Sequence, residues 1–176
     1  MNDLLKKIQK VKSFDKRIEL FKSGYTGLDA IEKREALRCC TEAAKAGQHF
    51  LETASAAVVA LGNEAGEFAE LAAEKADKSF LTQLGEASLY LELSGKHEKA
   101  LELANAIKNS NGLPMQRVMS AGAMSAVPAL KAIAEEIFKC ALDAVAPDMK
   151  AWATKEYETK FISSMNVKFV VENLKL

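Results

Sequence analysis

Three cysteines and two histidines are the side chains best suited to nucleophilic or metal chemistry in this 176-residue sequence. A catalytic thiolate needs a nearby histidine or helix N-terminus that lowers its pKa. Cys39 and Cys40 are adjacent, and Cys140 stands far along the chain. We expect Cys40 and Cys140 to be buried and Cys39 to be more exposed. A small cysteine-dependent enzyme is one alternative function, which loss of a measured activity on Cys39→Ser or Cys40→Ser would favour.

Metal and phosphate motifs are missing from the sequence. A metal site needs several His, Cys or carboxylate ligands that converge, yet neither His49 nor His97 belongs to an E-x-x-H pair of the di-iron type. Gly24-x-x-Gly27 precedes a predicted helix but lacks the Lys-Ser/Thr of a P-loop. We predict no catalytic residue, no metal ligand and no cofactor, so the chain is expected not to be an enzyme.

Charge and cysteine usage bear on partners and location. Lys plus Arg and Asp plus Glu number 24 each, so no global field attracts nucleic acid. Basic residues exceed acidic ones in residues 1–23, which fits a solvated helix face or a docking surface for an acidic partner. The odd cysteine count favours a reducing compartment. Without a signal peptide or an apolar run of about 18 residues, the chain is predicted to be cytoplasmic, with no membrane insertion.

Apolar residues recur at helical spacing along almost the whole chain, which predicts the elements that position these side chains. The clearest unit is residues 83–108, two amphipathic helices joined by a turn at Ser94-Gly95-Lys96. We predict an all-α fold of seven to nine helices packed as antiparallel hairpins, either a short α-solenoid or a compact helical bundle. Residues 1–176 are expected to form a single domain, since domains usually span about 100–200 residues.

Two segments allow more than one conformation. A seam of mostly small apolar residues runs from Leu37 to Leu61 in steps of three and four, which favours one long helix over about residues 29–61. Gly47 could divide it into two. The tail, residues 166–176, is rich in β-branched side chains, and we expect it to be an extended tail or a frayed helix.

Two groups of side chains are candidates for contact with a partner. Met115 and Met119 lie near Gly122 and form either an adaptable apolar surface or core filling. Pro147 is expected to begin a helix whose inner stripe steps by four through Met149, Ala153, Tyr157, Phe161 and Met165. Trp152 lies at the rim of that stripe, where beside Tyr157 it could anchor an interface or be partly buried.

A shift of the chain by 32 residues superposes several pairs of similar residues: Val59 on Leu91, Leu61 on Leu93, and Glu70-Leu71-Ala72 on Glu102-Leu103-Ala104. With small residues at Ser88, Gly95 and Ala100, residues 50–114 resemble a tetratricopeptide-type repeat (TPR) of paired helices. The sequence departs from that pattern at Leu84 and Leu91, where Trp and Tyr are usual, and at Pro114, which comes late. The resemblance implies stacked hairpins that bind a peptide or helix.

A second resemblance is to globin-like proteins of the phycobiliprotein kind. It is carried by the segment from Tyr90 to Gly95 and by Gly112-Leu113-Pro114. It implies a helical bundle around a tetrapyrrole or another apolar small molecule. The pattern departs at Asp77, where the pigment-attaching cysteine should stand, and at Ser79-Phe80, where an Arg-Asp pair should grip the pigment.

Together these features favour a non-enzymatic protein–protein interaction module, such as an adaptor, a chaperone-like protein or an assembly subunit. It is predicted to bind a peptide, a helix, a partner subunit or a second copy of itself through a helical groove. The residues predicted to contact the partner are Met115, Met119, Trp152 and Tyr157.

Overall fold

The computed structural model describes residues 2–176, and every regular element among them is helical. The α-helices are α1 (Asp3–Lys10), α2 (Phe14–Gly24), α3 (Ala30–Ala43), α4 (Gly47–Leu61), α5 (Gly66–Lys75), α6 (Leu81–Leu93), α7 (His97–Lys108), α8 (Pro114–Met124), α9 (Pro128–Asp143), α10 (Lys150–Glu158) and α11 (Met165–Leu174). The prediction of an all-α helical bundle is confirmed, although the helices exceed the seven to nine expected.

From α2 to α10 the helices form two layers. In the inner layer the even-numbered helices α2, α4, α6, α8 and α10 each pack on the next. The outer layer contains α3, α5, α7 and α9, each of which packs against an even-numbered chain neighbour. The predicted hairpin of residues 83–108 is present as α6 and α7. Short connections between helices make consecutive helices antiparallel neighbours.

The inner layer is held by close approach of helices. A Cβ added to Gly85 on α6 would lie 2.6 Å from Ser120 Cα on α8, and the Ser120 hydroxyl donates to the Leu81 carbonyl at 2.6 Å. A Cβ added to Gly122 would lie 2.8 Å from the Glu156 carbonyl oxygen on α10. We call the Gly85–Ser120 contact the α6–α8 seam. Because the obstructing atoms belong to backbone, a larger residue at Gly85 has no room.

The outer layer is connected by ion pairs instead. Arg34 on α3 pairs with Glu64 at 2.8 Å, and Glu70 on α5 pairs with Lys99 on α7 at 2.6 Å. Lys108 on α7 pairs with Glu136 on α9 at 2.7 Å. We call this series the ion-pair ladder. All six side chains are substantially exposed to water, so each pair contributes about 0–1 kcal/mol.

The expected single helix over residues 29–61 is wrong, because α3 ends at Ala43 and α4 begins at Gly47. Ala44 and Ala46 are extended between them. A Cβ at Gly47 would lie 2.8 Å from both the Lys75 carbonyl oxygen and Gln83 Oε1. The break therefore lets other parts of the chain approach Gly47, a tertiary contact that the local spacing does not reveal.

Of the two conformations expected for the tail, the extended one is wrong and the helix is present, although it is packed and not frayed. Residues 165–174 form α11, and the Ser164 hydroxyl accepts a hydrogen bond from the Val167 N–H at 3.4 Å. Val167 and Val170 are fully buried, and α11 packs on α4. Burial of the β-branched face outweighs its weak preference for strand.

The apolar stripe that was expected to step by four residues along one helix from Met149 to Met165 is interrupted. Helix α10 ends at Glu158, and Met165 is 79% exposed at the start of α11. The turn between α10 and α11 contains Lys160 and Phe161 with φ values of 59° and 58°. Both residues are therefore in the left-handed region, which does not continue an α-helix.

Buried apolar side chains form two clusters. The larger extends from Leu5 to Val170 and includes both layers. The smaller contains Val118, Ala141, Val145 and Ala153, at the α8–α9–α10 end. The single-domain assignment stays a prediction. None of the described helices is long and apolar enough to span a bilayer.

Candidate functional site

The candidate site is a surface pocket where α8 begins and where the chain passes from α9 to α10. Pro114 occupies the first turn of α8, a position that requires no N–H donor. On the other side, Ala144 caps α9 and Pro147 begins a short 3₁₀ turn that ends at Met149. Two prolines that start new elements therefore bring two chain segments together at the end of the bundle.

Every side chain that lines this pocket is apolar. The lining residues are Leu113, Pro114, Met115, Ala144, Val145, Ala146 and Met149, and the volume is about 270 Å³. We call it the α8–α10 pocket. Larger hollows along α3 and α2, of about 400 and 450 Å³, are lined by several charged side chains. The α8–α10 pocket therefore combines an open mouth with an apolar wall.

The structure distributes the four predicted contact residues over two environments. Met115 lines the α8–α10 pocket, and Trp152, three residues after the pocket residue Met149, is 38% exposed. Met119 packs against the larger core. Tyr157 stacks on Phe138 with ring centroids 4.0 Å apart, and burial followed by the Glu135 charge raises its pKa. Trp152 is thus exposed, Met115 is half-buried between the pocket and the smaller core cluster, and Met119 and Tyr157 serve packing.

Leu113 and Met149 were not predicted as contact residues. Leu113 is 66% exposed and Met149 is 41% exposed, although both are large and apolar. The helical spacing assigned Met149 to an inner stripe, because the spacing does not show that α10 begins after it. The signal for Leu113 was its position between Gly112 and Pro114, where no helical partner can cover it.

A second, polar centre lies between α6 and α11. Glu86 is buried, and its Oε1 accepts a hydrogen bond from the Ser164 hydroxyl at 2.6 Å. Its Oε2 accepts from Asn166 Nδ2 at 3.4 Å and from the Tyr90 hydroxyl at 3.3 Å. We call these four residues the Glu86 cluster. Two of its three donors come from the segment that starts α11.

The Glu86 cluster contains no cation. Burial raises the pKa of the Glu86 carboxyl, and the hydrogen bonds from Ser164, Asn166 and Tyr90 oppose that rise in part. Burial also raises the pKa of Tyr90, with Glu86 as the next cause. Buried carboxylates with raised pKa values are candidates for acid–base catalysis. Here the carboxylate oxygens face α11 side chains and not one of the surface pockets, so the arrangement suits helix docking.

The sequence carried a signal for this cluster that the helical spacing obscured. Glu86 is the lone charged residue between Lys78 and Glu92, and α6 is buried on nearly all sides from Leu81 to Leu91. A helix that is apolar all round is typical of a core position. A single acid within such a helix must therefore be buried.

The thiols are poorly placed for nucleophilic chemistry. Cys39 and Cys40 are both buried, and Cys39 is the more exposed of the two only slightly, at 7% against 0%. Burial raises the pKa of Cys40 to about 12, and burial with Glu35 and Glu42 raises that of Cys39. Cys140, which was expected to be buried, is exposed on the outer side of α9. A raised pKa keeps a thiol protonated and unreactive.

The histidines have local partners. His49 stacks on Phe14 with centroids 4.2 Å apart, and its Nδ1 accepts from the Lys45 N–H at 3.1 Å. His97 Nδ1 lies 2.8 Å from Glu92 Oε1. In residues 2–176 no group of three or more His, Cys, Asp or Glu side chains is placed to hold a metal ion.

Two positions that the phycobiliprotein resemblance assigned to the pigment form a local turn. Asp77 Oδ1 accepts from the Ser79 N–H at 2.9 Å and from its hydroxyl at 2.7 Å. These bonds lower the pKa of Asp77, the bond from the Ser79 side chain most strongly. This pair thus caps the approach to α6.

Comparison with known proteins identifies no relative: no family model, no curated protein and no solved structure matches this chain.

Proposed function

We propose that this chain is a non-enzymatic protein–protein interaction module that receives an apolar side chain of a partner helix in the α8–α10 pocket. The observation that carries the proposal is the pocket's uniformly apolar lining beneath the exposed side chains of Leu113 and Met149. Exposed apolar surface of this kind is typical of binding sites. The same module can act as an adaptor, a chaperone-like protein or an assembly subunit.

The size of the pocket supports a protein partner over a tetrapyrrole. Pockets for drug-sized ligands usually measure about 300–1,000 Å³ and bury most of the ligand. The α8–α10 pocket has a volume of about 270 Å³ and is open, which suits one inserted side chain. Helix-in-groove complexes use such anchors at helical spacing.

The side chains at the pocket also suit an adaptable contact. Met115 and Met149 have flexible, polarisable thioethers that can follow the shape of an inserted group. Trp152 on α10 follows Met149 by three positions and offers a large contact area with a polar N–H. Interface anchors are enriched in Trp, and we assign Trp152 that role.

The free cysteines bear on the compartment in which the module acts. Cys39 and Cys40 are free thiols in neighbouring positions, and the exposed Cys140 is also free. An exposed free thiol fits a reducing compartment. We therefore propose that the module acts in the cytoplasm.

A photocrosslinking experiment tests the proposal. A photoreactive amino acid at Met149 should capture a partner in cells of the native host, and the cross-linked peptide should contain an apolar residue on an amphipathic helix. The matched control carries the same group at Ile31, an exposed apolar residue on α3. Equal capture of the same proteins at both positions, or no capture at Met149, would contradict the proposal.

A substitution gives the second measurement. Leu113→Ser with Met149→Ser should weaken binding of the captured partner about tenfold or more, since hot-spot side chains usually contribute at least about 2 kcal/mol. Ile31→Ser should leave the affinity unchanged. Circular dichroism should show the same helix content in both variants, because all three side chains are exposed.

A further inference from the structure

Helix α11 lies across three helices of the inner layer. At its start, Ser164 and Asn166 donate to Glu86 on α6. Along its length it packs on α4. Farther on, the ring of Phe169 lies under Lys22 on α2, with Nζ 4.9 Å from the ring centroid. The surface formed by α2, α4 and α6, which we call the inner groove, is therefore filled by a helix of the same chain.

The contacts of α11 combine apolar burial with a polar match. Val167 and Val170 are fully buried, and Val171 and Leu174 pack against the core. The hydroxyl of Ser164 and the amide of Asn166 are donors, which the acceptor-only carboxylate of Glu86 requires. The inner groove therefore selects a helix with this sequence of donors and β-branched side chains, and α11 itself has that sequence.

The connection that holds α11 in its own groove is strained. Lys160 and Phe161 both have positive φ, and neither is glycine. The Phe161 N–H nevertheless donates to the Glu156 carbonyl at 2.7 Å, and the Phe161 side chain is buried. Burial keeps the turn closed while the backbone opposes it. The strain therefore reduces the free-energy difference between the closed turn and an extended connection.

A short, strained connection before a helix that packs on its own chain favours exchange of that helix between identical chains. We propose that the inner groove binds α11 of a second copy of this chain, so that two chains exchange their α11 helices in a reciprocal dimer. The contacts of Ser164 and Asn166 with Glu86 are then remade between chains, the Tyr90–Glu86 bond stays within α6, and the turn at Lys160 and Phe161 extends. This surface is separate from the α8–α10 pocket, so the dimer and the proposed partner site are independent.

A mixing experiment tests the exchange on full-length chains. One chain carries Glu86→Cys, a second carries Ser164→Cys with a mass tag, and both carry Cys140→Ser to remove the exposed thiol. The two are unfolded together, refolded at high concentration and oxidised. Ser164 and Glu86 are hydrogen-bond partners, but Cys is two bonds shorter than Glu, so the doubly substituted chain described below establishes whether two thiols at these positions can join. When they can, we expect a disulfide-linked heterodimer on a non-reducing gel.

Two further chains serve as controls. Met165→Cys replaces Ser164→Cys in the matched control, and no heterodimer is expected because Met165 faces solvent. A chain with both Glu86→Cys and Ser164→Cys shows that the disulfide can form. If that chain closes its disulfide as a monomer while the mixture yields no heterodimer, the proposal is overturned.

The turn provides a second test, on chains with an intact Glu86 cluster. Lys160→Gly removes the cost of the positive φ, which is about 1–2 kcal/mol, and should lower the dimer fraction about fivefold or more. Lys160→Val raises that cost and should increase the fraction. Light scattering after size-exclusion chromatography measures both. A dimer fraction that is the same in both variants, or that changes in the opposite order, would overturn the proposal.

Discussion

The α8–α10 pocket and the inner groove are both surfaces that can receive a side chain or a helix, but they differ in polarity and cover. The pocket is apolar throughout and open, with Leu113 and Met149 at its mouth. The inner groove contains a buried carboxylate, Glu86, and is covered by α11. An apolar wall accepts many side chains, whereas a buried carboxylate rejects any helix without donors. The open α8–α10 pocket is therefore permissive toward the side chains it receives, whereas the covered inner groove selects helices that carry hydrogen-bond donors.

Gly85→Ala should have the largest effect, because the α6–α8 seam connects the two regions. The added Cβ would lie 2.6 Å from Ser120 Cα, so α6 and α8 must separate. We expect unfolding free energy to fall by about 3 kcal/mol, in spite of the better helix propensity of alanine. Urea denaturation measures the change. Gly27→Ala, which meets no atom within 4 Å, is the control and should change stability by less than about 0.5 kcal/mol; equal losses would refute the role of the seam.

Val170→Ala should loosen the cover of the inner groove and leave the pocket unchanged. Val170 is fully buried, and truncation of such a side chain costs about 2 kcal/mol. Amide hydrogen exchange should accelerate in α11 and remain slow in α8 and α9. Lys168→Ala, at an exposed position on the same helix, should leave α11 exchange unchanged. Uniform acceleration over all helices would show that α11 does not open separately.

Glu86→Gln should raise the stability of the fold, whereas Gly85→Ala and Val170→Ala should lower it. The amide removes the buried charge, keeps an acceptor for Ser164 and can donate to the Tyr90 hydroxyl oxygen and, once the Asn166 side-chain amide has turned over, to Asn166 Oδ1. At neutral pH we expect a gain of about 1 kcal/mol, since an unpaired buried charge is costly. Thermal unfolding checks it. A loss of stability would mean that the carboxylate is better satisfied than the contacts of Glu86 indicate.

The same substitution should change the response to pH. Because burial raises the folded-state pKa of Glu86 above its ordinary value of 4.5, the folded chain holds this proton more tightly than the unfolded chain. The contribution of Glu86 is complete below about pH 4.5 and is lost as pH rises through the raised pKa. The nearby groups are Tyr90, Ser164 and Asn166, with Glu52 acting on Tyr90. As pH rises from about 4.5 through the raised pKa of Glu86, the wild type should lose stability relative to Glu86→Gln. A difference in unfolding free energy that stays constant with pH would contradict the raised pKa.

Met149→Ser should have the smallest effect on folding. The side chain is exposed at the mouth of the α8–α10 pocket, so we expect less than about 0.5 kcal/mol of change in unfolding free energy. Affinity for the captured partner should nevertheless fall. Loss of stability beyond 1 kcal/mol, on the order of a core truncation, would show that Met149 is structural and that the pocket is not a free surface.

The spacing of apolar residues predicted the helices well where the apolar stripe of each helix faces a helix that is its neighbour in sequence. The apolar stripes of residues 83–108 and the turn at Ser94-Gly95 predicted α6 and α7 closely, because those stripes face each other. Pro114 and Pro128 begin α8 and α9 for a local reason, since proline suits the first turn of a helix. These features depend on near neighbours in sequence, which the sequence displays directly.

Other features depend on contacts far along the chain, and the sequence did not reveal them. Gly47 interrupts a continuous seam because Lys75 and Gln83 approach it. Cys140 is exposed although its neighbours are apolar. Within the candidate site, Met115 and Trp152 were chosen by residue type, and Leu113 and Met149 were missed because the chain turn at residues 144–149 places them. Such turns are specified by tertiary packing and by prolines whose partner segments cannot be read locally.

The ion-pair ladder has a consequence for how this architecture can grow. Arg34 and Glu64 are 30 positions apart, and Glu70 and Lys99 are 29 apart. The first pair joins α3 to the turn before α5 and the second joins α5 to α7, while α7 also packs directly on α9. A hairpin of about the same length could therefore be duplicated or deleted with one pair of complementary charges at each junction. The spacing of 29 or 30 positions matches one helix pair, so an insertion within a hairpin would move the two charges of a pair apart.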